Sequence, residues 1–185
     1  MPPVRLILIG YRGTGKSAVG RVLAARLGVP FVDADAVLEE ELGCTIAALF
    51  RTHDEAYFRD RETEVLQGIL DDPALSAAVI STGGGIVIRS ENRARLRRAG
   101  VVIHLTADAA TIRERLQADP TTADRRPQLT GLSGLAEIEA LLAQREPWYA
   151  ECAAFQSNTV GRSPDDVAAG ILSAVASLGA GVKAS

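Results

Sequence analysis

Lysine is nearly missing from this chain. Of 20 basic side chains 18 are arginine, and only Lys16 and Lys183 are lysine, so the presence of a lysine raises the case for a specific need for a compact ammonium group. Thirty alanines fit the same compositional bias. Cysteine is as scarce: Cys44 and Cys152 have no close Cys or His companions, which excludes a disulfide framework and a zinc site and leaves reduced thiols. His53 and His104 are isolated as well. His104 lies within the apolar run VVIHL, where a packed strand residue is expected rather than a ligand. There is no basic block either, and 20 basic against 23 acidic side chains give a net charge of -3, which argues against nucleic acid as a partner. Long apolar runs are absent. Leu6 to Ile9 and Val101 to Ile103 fall far short of the roughly 20 residues a bilayer span requires, so no membrane partner is expected. Residues 4–9 have the apolar character of a signal core, but a glycine-rich turn follows instead of a small-residue cleavage site, and the expectation is a mature cytoplasmic N-terminus.

What is present reads as one domain. The 185 residues are 47% hydrophobic and 23% charged, near the average for a globular chain. Short continuous apolar runs alternate with segments of helical spacing, the pattern of βαβ units around a parallel sheet. Strands are expected at 4–9, 30–32, 77–81, 101–105 and 154–157. A first helix follows Lys16, with Val19, Leu23 and Leu27 at helical spacing and Gly28 then Pro30 as stop signals. Further helices are expected at 36–42, 46–50, 55–70, 92–98, 109–118, 135–150 and 164–178, with Ser90 and Asp108 as N-caps of two of them. Segment 119–134 is rich in Pro, Gly, Thr and charge without periodicity, which at its length suggests a functional loop, read as a mobile lid. The tail from Gly179 is expected to fray.

Directly after the first strand comes GYRGTGKS (10–17), a match to GxxxxGK[ST] in the strand-then-helix context that gives the motif meaning. Glycines at 10, 13 and 15 allow turns in which successive N–H groups and the following helix N-terminus point at an anion. Lys16 supplies a point charge for the β and γ phosphates, and the Ser17 hydroxyl can ligate magnesium. The motif implies nucleoside triphosphate binding without saying what receives the phosphate.

Three clusters near the carboxyl ends of the expected strands are candidates for the acceptor site, since open α/β sheets bind ligands there. In VDAD, Asp33 and Asp35 stand two apart and would point the same way in extended chain. One could orient magnesium-bound water and the other accept a hydroxyl proton, or one could simply cap the next helix. In EAYFRDRETE, Glu55, Arg59 and Glu62 share one helix face. Spacing alone favours a solvated ion pair, the alternative being that Glu62 holds Arg59 rigid for a planar carboxylate. Third, Gly83, Gly84 and Gly85 follow the strand ending at Ser81, and consecutive glycines suggest close backbone approach to a ligand, a bare tight turn being the alternative.

Together with RRP (125–127) and QREPWY (144–149), these motifs in this order resemble the shikimate kinases, small P-loop kinases related in fold to the nucleoside monophosphate kinases; the likeness runs over about 5–178. The resemblance implies a three-layer α/β/α P-loop kinase fold around a five-stranded parallel sheet, with a shikimate-binding region at about 33–62 and a lid at about 118–134. The implied reaction moves the γ-phosphoryl group of ATP to the 3-hydroxyl of shikimate, giving 3-phosphoshikimate and ADP, with Mg2+ as cofactor. By resemblance, Gly10, Gly13, Thr14, Gly15, Lys16, Ser17 and Ala18 hold the nucleotide, with Lys16, Asp35 and Arg126 catalytic. Asp35 contacts the acceptor hydroxyls and serves as base, Arg59 and Arg145 hold the carboxylate, and Gly83, Gly84 and Gly85 line the site. Asp33 binds magnesium through water beside Ser17. Arg126, on the lid, reaches the transferring phosphoryl group, and Arg115 and Arg162 flank adenine. ATP and shikimate are thus the implied partners, and with no obvious interface stripe in the sequence a monomer is the default expectation.

Two positions depart from the family pattern: Gln128 stands where leucine is usual and Asp54 where glycine is usual. No strand ends in a second magnesium aspartate, since VISTGGG offers none, so Asp33 must fill that role. A GTP-dependent switch would carry NKxD and DxxG, and neither occurs. A gluconate-type sugar acid kinase shares the P-loop but not the triple glycine and FRDRE. A nucleoside monophosphate kinase would need a base-recognition element that the short acceptor region lacks.

Overall fold

The computed structural model describes residues 5–118 and 134–181. Five strands form one parallel sheet: β1 (Leu6–Ile9), β2 (Phe31–Asp33), β3 (Val79–Ser81), β4 (Val101–Thr106) and β5 (Phe155–Asn158), in spatial order β2-β3-β1-β4-β5. The helices are α1 (Lys16–Leu27), α2 (Ala34–Leu42), α3 (Ile46–Thr52), α4 (Glu55–Asp71), α5 (Ser90–Ala99), α6 (Ala109–Ala118), α7 (Gly134–Cys152) and α8 (Pro164–Gly181). This is the α/β/α arrangement that the alternating periods imply.

β1 is central and buried on both faces, which is why LILI shows no polar alternation. Its side chains divide by the period of two. Ile7 and Ile9 join Leu38, Phe58, Leu66 and Tyr149 on one face, while Leu6 and Leu8 join Val19, Leu23 and Ile171 on the other. The helix after β1 and the helix after β3 thereby pack on opposite faces. Such a reversal opens a crevice at the carboxyl ends of the strands, here between β1 and its neighbour β3. Gly10 closes the end of β1 so tightly that a Cβ there would overlap the Leu105 carbonyl oxygen.

Two local expectations differ from the structure. Ser90 is not a cap: it is the first residue of α5, Arg89 holds the cap position, and no side chain caps that end. Asp108 does act as expected, its carboxylate accepting from Thr111 N at 2.7 Å. The last helix runs on to Gly181, beyond the expected end at 178, carried by the buried stripe of Val167, Ile171 and Val175. No helix among the described residues is long and apolar enough to cross a membrane.

Candidate active site

A cavity of about 470 Å³ occupies the crevice, lined by P-loop residues Arg12, Gly13, Gly15, Lys16, Ser17 and Ala18, by Asp33 and Asp35, by Ser81, Thr82 and Gly84, and by Arg115. Gly13 and Gly15 take positive φ, 77° and 91°, and Gly15 is the cap of α1, so the helix opens on the cavity with its first amides unclaimed by a side chain. Thr14 braces the loop from within, its hydroxyl donating to the Tyr11 carbonyl at 2.8 Å. Lys16 Nζ donates to the carbonyls of Gly10 at 2.8 Å and Tyr11 at 2.9 Å. Its ammonium is thus buried at the base of the loop, the compact role for which arginine has no equivalent.

The two aspartates do not share an extended segment. The strand ends at Asp33, and α2 begins at Ala34 rather than 36, so Asp35 already lies in the first helical turn. Asp33 caps that turn, its Oδ1 accepting from Asp35 N at 3.2 Å, while its Oδ2 accepts from the Ser17 hydroxyl at 2.6 Å. Asp33 therefore caps the helix and meets the P-loop serine at once, so capping does not exclude the magnesium-side role set against it at the level of sequence. Asp35 is turned elsewhere: a Cβ on Gly83 would stand 2.7 Å from Asp35 Oδ1 and 2.6 Å from Glu62 Oε1.

Solvated pairing of Arg59 is overturned by burial. Arg59 is 7% and Glu62 5% exposed, and Nη1 donates to Glu62 Oε2 at 2.7 Å. Nε and Nη2 both donate to Glu55 Oε1, at 3.2 and 3.0 Å. Burial by itself lowers the pKa of this guanidinium, but the Glu62 and Glu55 carboxylates outweigh it and raise the value above the ordinary one. A neighbour remote in sequence packs against it: Gly85 lies so close that a Cβ would overlap the guanidinium.

Arg145, on α7, is 5% exposed and reaches the same turn, Nη1 donating to the Gly84 carbonyl at 3.2 Å. Arg115, on α6, clamps the far wall: it donates to Gly13 O at 3.2 Å, Thr159 Oγ1 at 3.0 Å and Thr159 O at 2.8 Å. Arg162 is not among the cavity-lining residues; it is exposed and donates to the carbonyls of Asn158 and Asp166. Arg126, RRP and the lid expected at 118–134 lie outside the described residues, apart from the helix ends at 118 and 134.

Sequence reasoning passed over Arg12 and Tyr149. Arg12 sits at an unconstrained position of the P-loop pattern, yet it lines the cavity, with Glu137 Oε2 at 4.0 Å. Tyr149 stands one turn beyond Arg145, and that i,i+4 relation was the available signal. His104 is a packed strand residue as expected, stacked on Tyr149. Burial lowers its pKa, the Glu146 carboxylate opposes the shift and the Lys16 ammonium adds to it. Both cysteines are free thiols.

Among the described residues no group of three His, Cys, Asp or Glu side chains gathers as a metal site. A magnesium ion needs none, because it keeps several waters and takes one or two protein oxygens beside phosphates. Ser17 Oγ and Asp33 Oδ2, hard oxygens 2.6 Å apart beside the P-loop, fit that donor set.

The chain is similar to known proteins in sequence and in fold. The shikimate kinase family model matches residues 12–176. The shikimate kinase of Symbiobacterium thermophilum is 44% identical over 169 residues, covering 91% of this chain and 94% of that protein. Among solved structures, the shikimate kinase from Acinetobacter baumannii in complex with shikimate matches with a TM-score of 0.87 at 32% identity, over 95% of this chain and 94% of that one. A gluconokinase from Sinorhizobium meliloti, at 18% identity and a TM-score of 0.63 over 98% and 96% of the two chains, shares the fold alone.

Proposed function

This chain belongs to the shikimate kinase family, and from that premise we propose how its residues divide the work. The protein is an ATP-dependent phosphotransferase that moves the γ-phosphoryl group of ATP to the 3-hydroxyl of shikimate. One observation supports the assignment of roles above others: the glycine turn after β3 gathers Asp35 and Glu62 against Gly83, Arg145 on Gly84 and Arg59 against Gly85, beside the P-loop.

Shikimate carries a carboxylate at one end and hydroxyls at the other. Arg59 and Arg145 hold the carboxylate, where planar guanidinium groups can bind in a fixed orientation. Asp35 receives the hydroxyl end and takes the proton of the attacking oxygen. The P-loop amides of Gly13, Thr14 and Gly15, with Lys16, hold the nucleotide phosphates and stabilise charge on the transferring group, and Ala18 extends that helix start. Ser17 and Asp33 would hold Mg2+, which supplies charge neutralisation between the phosphates. Arg115 and, more remotely, Arg162 border the adenine end, and Arg126 completes the phosphoryl site from the segment 118–134, acting as a lid that excludes water. The chain works as one kinase domain over residues 1–178 and as a monomer, in the cytoplasm.

The test is ADP release with Mg-ATP across shikimate, gluconate and nucleoside monophosphates, with Lys16→Ala as the blank. Turnover dependent on shikimate alone is expected. Turnover with another acceptor, or none, would overturn the acceptor assignment and leave only the phosphate site.

A further inference from the structure

The Gly84 carbonyl receives two donors from successive turns of α7. The Tyr149 hydroxyl donates to it at 2.5 Å and Arg145 Nη1 at 3.2 Å. Tyr149 is wholly buried, and its ring stacks on His104 of β4 with centroids 4.5 Å apart and planes 25° from parallel. His104 is buried in turn, so the phenol is held between the sheet and the glycine turn. Burial raises the pKa of this hydroxyl against the opposing effect of Arg145, which keeps it a proton donor over the working pH range.

The peptide bonds of the described chain are all trans. A trans peptide points its N–H opposite to its C=O. Holding the Gly84 carbonyl on α7 therefore turns the Gly85 N–H away from α7, in a residue so close to Arg59 that a Cβ would overlap the guanidinium. We propose that Tyr149 is a positioning residue for the acceptor: its hydroxyl locks the Gly84–Gly85 peptide, so that the glycine turn on which Arg145 and Arg59 converge keeps one orientation toward the acceptor. Tyr149 also spares Arg145. Without the hydroxyl, Arg145 is the one side chain left on that carbonyl among the described residues, and its guanidinium is divided between Gly84 and the acceptor. The inference rests on reading Gly83, Gly84 and Gly85 as the acceptor-binding turn.

Tyr149→Phe keeps the ring and its stack and removes one hydrogen bond. The shikimate KM is expected to rise about 5- to 10-fold, the scale of one neutral hydrogen bond, with the ATP KM unchanged. His104→Phe keeps an aromatic surface and should alter neither KM, whereas His104→Ala frees the phenol and should raise the shikimate KM alone. This pair decides the matter if Tyr149→Phe does not fold. An unchanged shikimate KM in folded Tyr149→Phe, or a parallel rise of both KM values with a lowered Tm, would reduce Tyr149 to a space filler. Wild-type turnover with shikimate is measured first, so that absence of turnover strikes the functional reading and a flat variant strikes only this one.

Discussion

Arg59→Lys separates charge from geometry at the acceptor carboxylate. The guanidinium spends Nη1 on Glu62 at 2.7 Å and Nε with Nη2 on Glu55 at 3.0 to 3.2 Å, and its planar fork still has N–H groups to offer a ligand. A lysine ammonium has three donors and no plane, and two carboxylates already surround it. Loss of one charge-assisted hydrogen bond to the acceptor corresponds to about 1.5–3 kcal/mol, hence about a 10- to 150-fold rise in the shikimate KM. Stability should fall far less than in a variant that removes the charge, because Glu62, 5% exposed, keeps a cation beside it. The assay is coupled ADP release with shikimate varied at saturating Mg-ATP, and then with ATP varied. A shikimate KM equal to that of the wild type would show that Arg59 serves the helix rather than the substrate, and an equal rise in the ATP KM would show general distortion.

Asp35→Asn should lower kcat by about 10²- to 10⁴-fold, the usual contribution of a general base, while ATP still binds in a calorimetric titration; normal turnover would remove Asp35 from proton transfer. Gly85→Ala places a methyl group on the Arg59 guanidinium, and the shikimate KM should rise with little change in the ATP KM. His104 should give an acid-sensitive fold. Its pKa is lowered from 6.5 on folding, so below that pH the unfolded chain binds a proton the folded chain refuses, and stability falls as pH drops from 6.5 toward the folded value. The slope from this group is at most about 1.4 kcal/mol per pH unit, and His104→Phe should flatten it in Tm measured against pH; an unaltered slope would place the proton elsewhere.

Much of this site is legible in the chain because its signals are local. GYRGTGKS carries its own geometry: positive-φ glycines, a lysine and a helix start lie within eight residues. VDAD is legible in residue type but not in direction, because the Asp33 side chain captures the Asp35 amide and the chain turns helical two residues early. FRDRE shows its pairing through i,i+3 and i,i+4 spacing, yet the close approach of Gly85 to the guanidinium comes from a turn that nothing in the helix foretells. Tyr149 is the extreme case. Its partner carbonyl lies 65 positions away, a contact set by the packing of α7 over the sheet.

The two arginines proposed to hold the acceptor carboxylate are not equivalent electrostatically. Arg59 is already neutralised by Glu62 and Glu55, so its contribution to an incoming anion is orientation more than net attraction. Arg145 forms no ion pair among the described residues; its Nη1 donates to the neutral Gly84 carbonyl, its guanidinium acts on the Tyr149 hydroxyl and lies 5.7 Å from the Tyr11 ring centroid, and its Nε has no hydrogen-bond partner there. A guanidinium only 5% exposed in that state carries a desolvation cost that an anion would relieve. Because the chain as a whole carries a net charge of -3, long-range attraction cannot supply the pull on an anionic acceptor. Under the proposed division of roles the pull is local and comes from Arg145, and a ligand carboxylate that completes this pair should stabilise the folded chain by mass action while Arg59 fixes the angle at which it arrives.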